Sequence, residues 1–196
     1  MTRSIRRLIC SAAMAGTILG GAASRAQTQG EPEEFTAFAI NMGALSGGGT
    51  AQLIININKW NSVAERDELF GVLKQKGQEG LLDQLRRAKS VGTLRTPNSV
   101  GYDLRLALEE AGKEGGRRVL VVTDRPVGFN EATARPPSIE YPFTVIDMQI
   151  PAKGFGQGTM SIAAKIIPAG RTLLVENYDT QPVQLNHIEA RKRTKR

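Results

Sequence analysis

An α+β fold, mainly antiparallel β as a sandwich or barrel with an inserted helical hairpin, is what this 196-residue sequence predicts. Three observations lead there. Apolar and polar residues alternate in short runs through most of residues 35–190, and a period of two marks strands with one buried face. Between the second and third runs, at 62–90, the period becomes helical. Turn residues separate the runs, and no unit of a repeat array recurs, so the strands belong to one domain rather than a solenoid.

The first strand is read at Phe35–Met42, where Phe35, Ala37 and Ala39 oppose Phe38, Ile40 and Met42. Residues 27–34, with Pro32, read as a flexible lead-in, and Gly43–Thr50 as a glycine-rich connection. In the second strand, Ala51–Trp60, Leu53, Ile55 and Ile57 face the core while Gln52, Asn56 and Asn58 face water. Ser62-Val63-Ala64-Glu65 is a capping box: the hydroxyl accepts from the Glu65 amide and the carboxylate reaches back to the Ser62 amide. Leu69, Val72 and Leu73 give the first helix its apolar face, Gly77 stops it, and Leu81, Leu82, Leu85 and Ala88 form the stripe of a second. Arg86, Arg87 and Lys89 suit the negative end of that helix dipole.

Strand patterning then returns. Val91–Thr96 is short. Tyr102, Leu104, Leu106 and Leu108 alternate with Asp103, Arg105, Ala107 and Glu109, which favours a hairpin with Arg118–Thr123 over a helix, although Leu, Ala and Glu are good helix formers. Val119–Val122 is apolar on both faces, as in a central strand. Asp124–Glu140, with Pro126, Gly128, Pro136 and Pro137, reads as a long loop, and loops above about 12 residues are disproportionately functional. Strands follow at Tyr141–Ile150, Thr159–Ile167 (Met160, Ile162, Ala164 and Ile166 on one face), Arg171–Tyr178 and Val183–Ala190.

Residues 1–26 have the pattern of a cleaved secretory leader: Arg3, Arg6 and Arg7, an apolar run from Leu8 to Ala23, then Ser24-Arg25-Ala26 ahead of Gln27. The run is short for a spanning helix, which needs about 20 apolar residues, and is broken by Gly16, Gly20 and Gly21. Arg6-Arg7 hints at twin-arginine export, but its surroundings fit the general secretory route better. The expected location is therefore the periplasm or the exterior, with no membrane span after cleavage. Cys10, the only cysteine, lies at the wrong end of the run for a lipoprotein and leaves with the leader, taking thiol nucleophiles, thiolate ligands and disulfides with it.

The leader also holds four Arg and no acid, so the formal charge of +7 falls to +3 on its removal. The tail at 191–196 carries five more positive charges, and the folded part is slightly acidic. A nucleic-acid partner would need a basic face on the fold, and none is expected. The tail reads as a solvated end, or as a contact for anionic surfaces.

Gly43–Thr50 lacks the Lys and the following helix of a phosphate loop, and Gly154-Phe155-Gly156-Gln157-Gly158 lacks the helix of a dinucleotide site. His187 is the only histidine, and Ser99, Ser138 and Ser161 have no nucleophile-elbow pattern, so a histidine triad has little to stand on. One His without a mature Cys makes zinc improbable, and no calcium-loop pattern occurs. No cofactor, metal or catalytic residue is assigned.

The candidate ligand-binding residues are polar ones beside turns: Tyr102 and Asp103, and Asp124 and Arg125 after the central strand. Asp103 and Asp124 also raise a carboxylate-pair reading. Against it stands a structural one, in which Asp124 caps a turn and Arg125 packs beneath the proline-rich loop. The stretches Arg95-Thr96-Pro97, Tyr102-Asp103-Leu104, Thr123-Asp124-Arg125-Pro126, Tyr141-Pro142-Phe143-Thr144 and Glu176-Asn177-Tyr178 give the chain a resemblance to a family of uncharacterised exported bacterial proteins of similar size. That resemblance implies one exported domain and transfers no activity. The leading expectation is a non-catalytic module binding a protein or small-molecule partner. The alternatives are a carrier of an apolar small ligand, with one sheet face lining a cavity, and a carboxylate-dependent hydrolase.

Overall fold

The computed structural model describes residues 30–40, 50–125, 127, 140–170, 172–177 and 181–193. The leader at 1–26, most of the glycine-rich connection, most of the 124–140 loop and residues 194–196 lie outside the described residues.

Ten antiparallel strands form one nearly closed, barrel-like sheet: β1 (Glu33–Ile40), β2 (Thr50–Ile57), β3 (Gly92–Arg95), β4 (Tyr102–Leu104), β5 (Leu106–Ala111), β6 (Arg117–Thr123), β7 (Phe143–Ile150), β8 (Gly156–Ala169), β9 (Thr172–Asn177) and β10 (Val183–Lys192). Their order is β4-β3-β2-β1-β10-β8-β7-β6-β5, with β9 on the far half of β8. The two ends of this path, β4 and β5, are joined by the single residue Arg105, whose amide donates to Val122 O at 2.8 Å. Asn61 helps the closure by bonding both backbone groups of Ala107, at 2.9 Å each. A closed sheet leaves few unpaired edges.

The alternation read from sequence sorts the side chains into two cores. Phe35, Ala37, Ala39, Leu53, Ile55, Ile57, Val119, Val121, Ile146 and Met148 fill the barrel interior. Leu106, Leu108, Leu120, Val122, Phe143 and Val145 point outward beneath the helix, against Leu69, Phe70, Leu73, Leu81, Leu82 and Leu85. Burial of the central strands on both faces explains why Val119–Val122 is continuously apolar. Trp60 lies past the end of β2, in edge-on contact with Phe35, and its indole N–H donates to Glu31 O at 2.9 Å.

The expected helical hairpin is replaced by one helical element, α1 (Val63–Arg87), broken at Gly77, where φ is 66° and ψ −161°. Gln84 Nε2 nevertheless donates to Glu68 Oε1 at 3.1 Å, whereas sixteen residues of straight helix would separate them by about 24 Å. A sharp bend at one glycine, with no intervening loop, does what the two-helix reading assigned to a connection. Gly77 alone reaches this backbone region without a Cβ clash.

The capping box forms as read, with Ser62 N donating to Glu65 Oε2 at 2.7 Å and Glu65 N to Ser62 Oγ at 3.2 Å. The Glu65 carboxyl titrates below its ordinary value because Lys59 bonds it; burial opposes this, and the Ser62 amide adds to it. A carboxyl depressed in the folded state contributes stability above its unfolded pKa and loses it as pH falls through the folded one. Glu65→Gln keeps the cap geometry but removes the titration. In chemical denaturation from about pH 6 to about pH 3, wild type should therefore lose more stability than this variant, with the two curves converging in acid. Parallel curves would show that Glu65 does not contribute to acid sensitivity.

Other boundaries move for physical reasons. Glu33 and Glu34 belong to β1 rather than the flexible lead-in, because they pair with both β2 and β10. Arg191 and Lys192 belong to β10 rather than a solvated tail: they pair with Glu34 and Glu33, Lys192 Nζ lies 3.0 Å from Glu31 Oε2, and the Arg193 side chain donates to Asn58 at 3.0 Å. Residues 102–104 and 106–111 are strand, as the alternation favoured over a helix, but the single face read for Tyr102, Leu104, Leu106 and Leu108 splits at Arg105: Leu104 joins the barrel interior, and Leu106 and Leu108 lie under the helix. The face assigned to β8 splits. Met160 joins the barrel interior, but Ala164 and Ile166 lie under α1, because the β7–β8 register shifts between Phe143 and Val145. A bulge changes the parity of every residue beyond it.

Candidate functional site

Three of the four sequence-predicted site residues meet at the β4–β5 seam, around an arginine that sequence reasoning had not chosen. Asp103 lies in β4 and Arg105 in the link to β5, two residues on. Arg105 Nη2 lies 3.3 Å from Asp103 Oδ2, Nε lies 3.5 Å from Asp124 Oδ2, and Nη1 donates to Ala88 O at 3.1 Å. Asp124 is 8% exposed and Arg105 mostly buried, while Asp103 reaches solvent. Arg125 is exposed, with Nε 3.8 Å from Asp124 Oδ1. Tyr102 packs against the barrel core beside them. The Thr123 hydroxyl donates to Arg125 O and so tightens the turn after β6. Arg105 Nε and Asp124 Oδ1 form no hydrogen bond among the described residues.

This geometry joins strands; it does not set up acid–base chemistry. A hydrolytic carboxylate pair keeps one group protonated and leaves room for a reacting bond between the two. Here one guanidinium bridges both carboxylates and fills that position.

A second constellation stands at the barrel mouth. Glu33 and Arg117 point inward from β1 and β6, which are not neighbours in the sheet. They form a two-pronged pair, Nη1–Oε1 3.0 Å and Nη2–Oε2 2.6 Å, with Glu33 6% exposed. Arg117 also bonds Glu109 at 3.0 Å and lies over the Phe35 ring. Burial pushes the Arg117 guanidinium down, and Glu33 and Glu109 more than offset that, so its pKa is raised. Next to the pair, the β5–β6 and β7–β8 turns frame an open cleft of about 680 Å³, lined by Glu109, Arg117, Ile150, Lys153, Ile188 and Ala190 among others. The glycine-rich Gly154–Gly158 therefore builds a hairpin turn and the start of β8. Gly158 permits close strand approach, since a Cβ there would lie 2.5 Å from Asp147 O.

His187 is a surface histidine on an inner strand, since β10 pairs with both β1 and β8. It forms a β-bulge, has φ 53°, and exposes its imidazole outside the barrel. Phe155 stacks on the ring, with centroids 3.4 Å apart and planes at 24°, and Phe38 lies 6.2 Å away on its other flank. Among the described residues no three metal-ligating side chains converge, and no helix is long and apolar enough to cross a membrane.

No family model matches the chain, and no curated protein or solved structure is significantly similar to it. The stretches behind the sequence resemblance have structural roles. Tyr102–Leu104 is β4, Thr123–Arg125 is the seam turn, and the Tyr141 hydroxyl donates to Glu176 at 2.7 Å.

Proposed function

We propose that the chain is an exported, non-catalytic binding module, in which the barrel is a rigid scaffold and a small ligand enters the cleft at its mouth. The cleft carries this reading. Its volume of about 680 Å³ falls in the range of small-molecule sites, about 300–1,000 Å³. Its lining mixes the apolar Ile150, Ile188 and Ala190 with Glu109, Arg117 and Lys153, the combination that binds and orients amphipathic ligands. The buried Glu33 holds Arg117 in place, so the polar part of the site is preorganised. Export rests on the leader pattern.

The apolar-carrier alternative needs a hollow interior, and large side chains such as Phe35, Ile55, Leu94, Met148 and Met160 occupy that space. The hydrolase alternative needs Asp103 and Asp124 free of a shared counter-ion, and Arg105 bridges them. Ala190→Trp fills the cleft from an exposed position. In ligand-observed NMR against a mixture of amphipathic fragments, wild type should give binders whose saturation transfer disappears in the variant, at unchanged melting temperature. Absence of binders, or binders indifferent to Ala190→Trp, would reject the mouth as the site.

A further inference from the structure

A second surface, independent of the mouth cleft, lies outside the barrel. Four large apolar side chains among the described residues stand exposed, and two of them, Phe38 at 50% and Phe155 at 53%, flank the same residue, His187. The strand register shows what extends on either side. Phe38 of β1 lies opposite Gln52 of β2 and Asn186 of β10. The β10 bulge sets Asn186 and His187 against Gln157 of β8, because Leu185 pairs with Gly158 and Ile188 with Gly156. Gln157 lies opposite Gln149 of β7. Gln52, Asn186, Gln157 and Gln149 are all exposed. Thus one transverse row crosses five strands, about 19 Å at the usual strand spacing, with three rings at its centre and amides on both sides.

The chemistry of this row is specific. No Lys, Arg, Asp or Glu stands in it. Of the charges beside it, Asp147 is engaged with Arg118 at 2.6 Å, while Glu189 lies 3.4 Å from Arg191 and 3.8 Å from His187 Nε2. Gln149 reaches Asp147 at 3.4 Å, but the side-chain amides of Gln52, Asn186 and Gln157 make no hydrogen bond among the described residues. Each amide offers two donors and an acceptor. Phe155 covers one face of the His187 ring, which leaves the half-exposed Phe38 and Phe155 rings to offer aromatic faces, and these are negative and attract C–H groups. A nucleic acid would require cations along such a row, and a protein interface would present a larger apolar centre with Arg, Tyr or Trp. A pyranose chain has apolar C–H faces for the rings, hydroxyls that donate and accept for the amides, and no charge to be met.

We propose that this outer row is a binding site for a neutral polysaccharide, laid across β2, β1, β10, β8 and β7 with sugar faces on Phe38 and Phe155, which His187 holds between them. The full-length exported protein, isotope-labelled, is titrated by NMR with neutral hexasaccharides of glucose and of N-acetylglucosamine in several linkages, and with polygalacturonate as an anionic counterpart. At least one neutral sugar should shift the side-chain amide signals of Gln52, Asn186 and Gln157 and bind equally well in high salt. Phe155→Ala and Phe38→Ala should each weaken it about two- to tenfold. Gln157→Ala, an exposed change that leaves the fold intact, should weaken it too, while Ala190→Trp leaves it unchanged. Binding to no neutral sugar, binding only to polygalacturonate, shifts confined to the mouth, or an affinity indifferent to Phe155→Ala and Gln157→Ala would each overturn the assignment.

Discussion

Replacing Arg105 with methionine should destabilise the protein by about 3–5 kcal/mol, because it takes from a buried carboxylate its nearer and better-buried cation and leaves it only the exposed Arg125 at 3.8 Å. The substitution removes three contacts at the one residue that joins the ends of the sheet: the approaches to Asp103 and Asp124 and the bond to Ala88 O. Their weights differ. Asp103 reaches water and loses little, since exposed ion pairs contribute about 0–1 kcal/mol. Asp124, with 8% of its surface exposed, cannot recover the lost interaction from solvent. For a chain of this size the expected loss is roughly 6–20 °C in melting temperature. Asp124→Asn in the Arg105→Met background should recover much of it by removing the buried charge, whereas Asp103→Asn in that background should recover little. Arg105→Lys keeps the charge without the planar fork and should fall between wild type and Arg105→Met. A loss below about 1 kcal/mol for Arg105→Met would show that the bridge is dispensable and would reopen the carboxylate-pair reading.

The same seam shows what the sequence made legible. Strand alternation identified the inward residues of β2 and the doubly buried β6, because period-two patterning depends only on the chain itself; in β1 both faces are apolar, and only the structure shows Phe35, Ala37 and Ala39 inside and Phe38 outside. The capping box was legible for the same reason. Closure into a barrel was not, since it depends on β4 and β5 pairing with different partners on either side of Arg105. Polar residues beside turns pointed to Asp103 and Asp124, and the alternation set Arg105 on the side of Asp103, but that Arg105 reaches Asp124 as well follows only from the break between β4 and β5. Glu33 looked like part of a polar lead-in because its partner, Arg117, is 84 residues away. The row of amides and rings was illegible because Gln52, Phe38, Asn186, Gln157 and Gln149 become neighbours only through register, and the β10 bulge that aligns His187 with them leaves no mark in hydrophobic pattern.

Arg117→Met should cost a comparable amount, about 3–5 kcal/mol. In the wild type, the raised guanidinium pKa means that the pair's contribution is fully present below the unfolded value and is lost only at strongly alkaline pH. The bridge is therefore insensitive to pH across the working range as far as its cation is concerned. Without Arg117, the Glu33 carboxylate remains buried at the barrel mouth with no cation bonded to it, and Phe35 loses the guanidinium over its ring. Glu33→Leu combined with Arg117→Met should restore most of the loss at neutral pH, because a buried ion pair can give way to apolar side chains of similar size but not to half of itself. Denaturation midpoints of these three proteins at neutral pH decide the matter. If the double variant is no better than the single one, Glu33 is not the group left unpaired, and the mouth owes its rigidity to the hairpin turns alone.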